Sequence, residues 1–234
     1  MSSQTKVDFK GKTINFTATD GLKVTADLYM TDNKSAPLII LYHQAGFSRG
    51  EYRTIAPKLN ALGFHCLALD QRSGKEVNGI KNETKREAVK QRKGTQYTDA
   101  IPDIEGGLLY AKNTLNAKTI IVWGSSYSAA LVFYLANKYP EDIKGVLAFS
   151  PGEYFKVNGK TIKTYASKVR CPVFMTSSKR EHKQWKGIYE AVQSDRHFYL
   201  PKDKGYHGSR ALWPVHKGHE EGWKAVSKFL ALLK

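Results

Sequence analysis

Cysteine is scarce in this chain of 234 residues: there are two, Cys66 inside the apolar run FHCLALD and Cys171 just before Pro172. Two sulfurs so far apart make neither a disulfide framework nor a paired CxxC zinc site, and both read as buried small hydrophobes. Long apolar runs are also missing. None approaches the roughly 20 residues of a membrane span, and the opening MSSQTKVDFKGK lacks the apolar centre of a secretion signal. The chain therefore reads as soluble and cytoplasmic, although a signal removed before this numbering begins is compatible with the same residues. Acidic residues are in deficit, with 21 Asp+Glu against 37 Lys+Arg and a formal net charge of +16. Such an excess attracts anions non-specifically and says nothing about fold. Its densest piece, GIKNETKREAVKQRKG at 79–94, reads as an exposed helix or loop. No aromatic residue interleaves with those charges to stack on bases, so a solvated surface is favoured over a specific nucleic-acid site.

What is present in quantity is apolar sequence. At 41% hydrophobic and 12% aromatic residues, the chain is able to bury a large core, and no Pro- or Ser-rich linker divides it. One domain over 1–234 is expected. After an alternating pair, KTINFTAT and LKVTADLYM, come PLIILYH (37–43), FHCLALD (64–70), TIIVWG (119–124), GVLAFS (145–150), PVFMTS (172–177) and HFYLP (197–201). Continuous apolar runs of that length mark strands covered on both faces. Helix-like stretches separate them: EYRTIAPKLNALG, DAIPDIEGGLLYAKNTLN, SAALVFYLANKYP, KQWKGIYEAVQS and EEGWKAVSKFLALLK. Alternation of this kind implies an α/β fold with a mainly parallel sheet of about eight strands. The longest interruption, residues 151–170, is either a small lid or a long loop.

Three serines in four positions stand between strand TIIVWG and helix SAALVFYLANKYP, in the connection GSSYS. Small residues around a Ser on a strand-to-helix turn lift its hydroxyl out of the fold toward a base. The pattern is G-x-S-x-S, with Gly124, Ser126 and Ser128, and Ser126 is the candidate nucleophile. Here the chain resembles the α/β-hydrolase superfamily, and within it the dienelactone-hydrolase-like branch and its serine-esterase relatives. The resemblance runs over nearly the full length. Two departures stand out: Ser128 occupies the last elbow position, usually Gly, and Ser126 stands where dienelactone hydrolases proper have Cys.

The resemblance implies partners in the order Ser, acid, His. His207, in DKGYHGSRAL after the last strand, matches the family's histidine loop with its His-Gly pair and is the expected base. The acid is expected nine positions after a proline, and counting from Pro172 reaches Glu181, with Glu153 and Asp203 as alternatives. Oxyanion donors are expected from the backbone amide of Tyr127 and from LYHQAGFSRGEY, where Gln44 replaces the usual Gly. By that register the second donor is Ala45 or Gln44. His43 is read as bracing this loop, and Asp70 and Arg72 in LDQRSG as structural. Tyr127, Phe47, Tyr154, Phe155 and Trp185 are candidates for pocket walls, each equally a candidate for the core.

Other chemistries fail on the same residues. The GKT triplets at 11–13 and 159–161 lack the earlier Gly of a phosphate loop, which Lys6 and Tyr154 replace. His216 and His219 form HxxH without a third ligand nearby; His65 and His197 read as structural and His182 as solvated. The implied activity is hydrolysis of small or short-acyl carboxylic esters through an acyl-enzyme, needing no metal or organic cofactor. Thioester or peptide hydrolysis by the same residues, and a non-catalytic binding role with an anionic partner, are the alternatives.

Overall fold

The computed structural model of the chain describes residues 11–234. Most of the N-terminal segment read for a secretion signal, and Lys6, lie outside the described residues. An eight-stranded sheet runs through the middle of the molecule. Its strands are β1 (Lys12–Thr17), β2 (Lys23–Tyr29), β3 (Leu38–Tyr42), β4 (His65–Leu69), β7 (Ile120–Ser125), β8 (Ile143–Phe149), β9 (Val173–Thr176) and β10 (Arg196–Tyr199). The spatial order is β1-β2-β4-β3-β7-β8-β9-β10. Only the pairings of β1 with β2 and of β2 with β4 are antiparallel, and the remaining pairs are parallel. A two-stranded hairpin, β5 (Glu76–Val77) and β6 (Ile80–Lys81), stands apart.

Side chains alternate across a strand, and both faces are covered. From β3, Leu38, Ile40 and Tyr42 face one core, while Ile39 and Leu41 face the other. The first face is packed by α3 (Ile101–Asn113), α4 (Tyr127–Lys138), α5 (Ile162–Ala166) and α6 (His182–Ala191), the second by α1 (Ile55–Ala61) and α7 (His219–Leu230). That double coverage is why the central strands read as unbroken apolar runs. α4 is buried from Tyr127 to Ala136, so its sequence lacks a polar face.

The basic segment 79–94 forms β6 and α2 (Glu83–Lys90), capped where the Asn82 side chain accepts from Lys85 N–H. Thr84 and Ala88 turn inward while the charges stay outside. Residues 151–161 form a loop, closed by a bridge between Val157 and Lys160, and α5 follows. Val157, Ile162, Tyr165, Ala166 and Val169 are buried in the same core as α4. Residues 151–170 thus hold a loop followed by a short helix that propensity alone did not mark.

Among the described residues no helix is long and apolar enough to cross a membrane. Cys66 is buried and Cys171 partly buried, both as free thiols. Parallel register brings Tyr42, Leu69, Ser125, Phe149 and Thr176 to one edge of the sheet, and the segments that follow them meet there.

Gly124 shows how tight that edge is. A Cβ on it would stand 2.3 Å from the Ser128 carbonyl oxygen and 2.6 Å from Ala129 N. Because these are backbone atoms, relief requires moving α4 against β7. Gly124→Ala is expected to cost about 2 kcal/mol or more and to lower Tm by roughly 4–8 °C for a chain of this size, measured by thermal unfolding.

Candidate active site

β7 ends at Ser125 and α4 begins at Tyr127, which leaves one residue for the whole reversal. That residue is Ser126, at φ 58° and ψ −120°. A non-Gly residue there carries strain of about 1–3 kcal/mol that its surroundings must hold. They do so with the Ser126 N–H donating to the Phe149 carbonyl at 2.7 Å and the Ala129 N–H donating to the Ser126 carbonyl at 2.9 Å. The turn leaves Ser126 9% exposed, beside the hydroxyl of Tyr154.

Glu181 and His207, 26 residues apart, meet directly through Glu181 Oε1 and His207 Nδ1. A carboxylate only accepts, so Nδ1 carries the proton and Nε2 is left as the basic nitrogen. Burial acts to raise the Glu181 pKa, but hydrogen bonds with the His207 imidazole, the Ser150 hydroxyl and Ser178, with the charge of His207, together hold it down at about 2. The group is therefore ionised at neutral pH. Ser150 donates to Glu181 Oε2 at 2.8 Å and accepts from Gly208 N–H at 2.9 Å, tying acid and histidine loop together. Ser126 Oγ makes no hydrogen bond to His207, as is common where such a contact tightens only around substrate.

The loop after β3 is held by three separate groups. His43 Nδ1 lies 2.8 Å from the Gln44 carbonyl, which only accepts, so His43 Nε2 takes the N–H of Gln71 at 2.9 Å. Burial pushes the His43 pKa down to about 4, consistent with a neutral brace. Gln44 N–H donates to Glu51 Oε2 at 2.8 Å. In a trans peptide the C=O and the following N–H point in opposite directions. Pinning the Gln44 carbonyl thus turns the Ala45 N–H the other way, and among the described residues that N–H has no acceptor. Tyr127 N–H, in the first turn of α4, has no intrahelical acceptor either. Of the two amides read for the loop, Gln44 is committed to Glu51 and Ala45 is open.

Ser128, the departure from the family pattern, adds a contact that Gly lacks. Its hydroxyl donates to the His43 carbonyl at 2.6 Å and accepts from Gln71 Nε2 at 2.6 Å. Asp70 and Arg72 anchor the neighbouring turn, Asp70 to Arg49 and Arg72 to both Asp20 and Asp103.

The alternative acids lie elsewhere. Glu153 accepts from the Ile162 and Lys163 amides at the start of α5, and Asp203 pairs with Lys217 at the surface. Trp185 is fully buried, with its indole N–H on Ser177 Oγ at 2.7 Å, so it belongs to the core. Tyr127 is buried too, but Tyr97 stacks on it at 4.8 Å and is itself exposed. Phe47 stacks with Trp213, and His216 with Tyr206. No group of three metal-binding side chains occurs among the described residues. Glu51, Gln71 and Ser150 were not singled out from sequence. Gln71 and Ser150 brace residues remote in the chain, Glu51 reaches Ser125 as well as nearby Gln44, and no local motif marks any of them.

A family model described as the alpha/beta hydrolase fold matches residues 37–171, more than half of the chain. The chain belongs to that family. Among solved structures it is similar to a dienelactone hydrolase from Anabaena variabilis, with a TM-score of 0.75 and 12% identity over 96% of this chain and 99% of that one. It is likewise similar to the esterase Pf2001 of Pyrococcus furiosus, with a TM-score of 0.73 and 19% identity over 100% and 96%. Est1E from Butyrivibrio proteoclasticus, also solved with ferulic acid bound, gives 0.68 and 15% over 94% and 98%. Comparison with curated protein sequences finds no match.

The depressed Glu181 pKa has a consequence for stability. Lowered from 4.5 to about 2 in the fold, it contributes stability that is present above pH 4.5 and is lost as pH falls toward 2. Glu181→Gln is expected to lower Tm at pH 7, with the gap to the unaltered protein closing between pH 4.5 and 2 in a pH series of thermal melts.

Proposed function

We propose that the chain is a serine esterase acting on small or short-acyl carboxylic esters. The observation that carries this is the ionised Glu181 joined to His207 at the same sheet edge that holds Ser126 in its strained turn. Ser126 Oγ attacks the ester carbonyl while His207 Nε2 takes its proton. The tetrahedral oxyanion receives hydrogen bonds from the Tyr127 and Ala45 amides. As the intermediate collapses, the C–O bond to the alcohol breaks and His207 returns the proton to the leaving oxygen. Water then repeats the sequence on the acyl-Ser126 ester, releasing the acid. Glu181 keeps the imidazole in the tautomer this needs and stabilises it when it is charged.

The loop 151–161 supports a short acyl group, because Val157 ties it to the core while Tyr154 crowds Ser126 from the same loop. Charge supports an anionic substrate. Lys75, Lys81, Lys85, Arg86 and Lys90 surround an open hollow of about 560 Å³. Lys75 N–H donates to the Phe47 carbonyl at 2.9 Å, so the hollow adjoins the loop that carries Ala45.

With a fluorophosphonate probe, one adduct is expected on Ser126 by mass spectrometry, absent in Ser126→Ala. Turnover of p-nitrophenyl acetate is expected to fall roughly 10⁴-fold or more in Ser126→Ala and His207→Ala, and about 10⁴-fold in Glu181→Gln. An unaltered protein that neither labels nor turns over would refute the esterase reading. The basic hollow makes a separate expectation: kcat/KM for a p-nitrophenyl hemisuccinate should fall with added salt more steeply than for the neutral acetate. Reversing Lys81, Lys85 and Lys90 to Glu should abolish that difference.

A further inference from the structure

Glu51 is the largest polar commitment at the site that the esterase chemistry leaves unused. The residue has no exposed surface. It lies in the turn Arg49–Tyr52 that follows the loop carrying Ala45. Its two carboxylate oxygens divide between the two halves of the site. Oε2 accepts from Gln44 N–H at 2.8 Å, and Oε1 accepts from Ser125 O–H at 2.7 Å. Ser125 Oγ in turn accepts from Ser209 N–H at 2.9 Å, two residues beyond His207. One buried carboxylate thereby joins the oxyanion loop, the residue before the nucleophile and the histidine loop.

We propose, building on the esterase reading, that Glu51 is a positioning residue whose negative charge assembles the site by holding the Ala45 amide toward the oxyanion and the histidine loop toward Ser126. Only the ionised form accepts from both neighbours. Once protonated it must donate, and the donor has to be Oε1, because Oε2 already faces an N–H. Ser125 Oγ then receives two donors and its own proton needs another acceptor. An acceptor stands beside it: Gln44 Oε1 is buried and has no hydrogen-bond partner among the described residues. A Cβ on Gly208 would lie 2.5 Å both from that oxygen and from Ser125 Oγ. Protonation therefore shifts Ser125 from the carboxylate to the Gln44 side chain, and the strong tie across the site is lost.

The groups that face Glu51 are His207 and Arg210 from the histidine loop and the turn after it, Tyr127 from α4, and Tyr52 beside it in its own turn. Burial raises its pKa. The Gln44 amide, the Ser125 hydroxyl, His207 and Arg210 pull it down, and the balance lies at about 7. Two consequences separate this role from plain bracing. Activity should gain one ionisation through that pH range beyond any other group. Because the folded pKa is raised from 4.5, the stabilising effect of the protonated form is lost as pH rises from 4.5 through about 7, so a neutral isostere becomes relatively more stable above that range.

The test uses Glu51→Gln, Glu51→Asp and Ser125→Ala in the full chain, with p-nitrophenyl acetate kinetics from pH 5 to 9 and thermal melts at pH 5 and 8. Phosphonate labelling of the unaltered protein, lost in Ser126→Ala, is read first; a protein that takes no label overturns the esterase reading and this proposal with it. Given labelling, Glu51→Gln is expected to lower kcat about 10- to 100-fold, with the acid limb changing from two protons to one. Its Tm, compared with the unaltered protein, should be higher at pH 8 than at pH 5. Glu51→Asp, which keeps the charge, should retain the two-proton limb. A Glu51→Gln protein with unchanged kcat and profile overturns the proposal, as does one whose activity falls equally at every pH and whose Tm falls equally at pH 5 and 8. Ser125→Ala is decisive even where Glu51→Gln does not fold. Removing a hydrogen bond to the ionised carboxylate should move the acid limb to higher pH, and a limb left in place overturns the proposal.

Discussion

Ser126 holds φ 58° only because three things around it leave no alternative. Gly124 removes the side chain that would strike Ser128, the Phe149 carbonyl fixes the Ser126 amide, and α4 is buried so completely that its first turn is unable to retreat. The strain of the turn is offset by the packing of a whole helix. In return the hydroxyl stands beside that of Tyr154 and the Tyr127 amide lies at the open end of the helix. Ser150, the residue after β8, takes a second positive φ, 56°, in the next strand over. Its hydroxyl serves the Glu181 carboxylate and the Gly208 amide at once. Both strained serines lie where strand becomes loop, which concentrates the conformational cost at the site.

Around these turns the sheet edge is stitched by polar groups that would be costly to bury singly. Arg49 sits between Asp27 and Asp70, and Arg72 between Asp20 and Asp103. Buried pairs of this kind contribute little net stability, but breaking one strands its partner's charge. Their effect is to specify where the loops after β3 and β4 rest. Gln71 follows directly from Asp70 and reaches His43, Tyr127 and Ser128. A loop with so many fixed partners is preorganised, which is what an oxyanion donor requires.

Positive charge is distributed differently. The ion pairs beside the site set two arginines among four aspartates, whereas the lysines of 75–90 surround an open hollow at the surface. Site assembly and long-range attraction are thus carried by separate residues, so salt should affect the second far more than the first.

The strands and the α/β class were legible in the sequence, and Ser126 and His207 stood out there as candidates, because each leaves a local mark: an apolar run of fixed length, a small-residue turn, a His-Gly pair after a strand. Cross-chain ties leave no such mark. Ser125 and Glu51 are 74 residues apart, and Ser150 and Glu181 are 31 apart. Sequence alone left Ala45 and Gln44 equivalent, and the separation came only when Glu51 was seen to occupy the Gln44 amide. It likewise left Trp185 between pocket and core, which depends on how α6 rotates against the sheet. The sequence by itself determined which segments are strands or helices and which side chains carry reactive groups, since periodicity and residue chemistry are local properties. Only the tertiary structure decided which amide is free, which carboxylate meets His207 and which is buried between two loops, because those follow from parallel strands bringing distant segments to one edge.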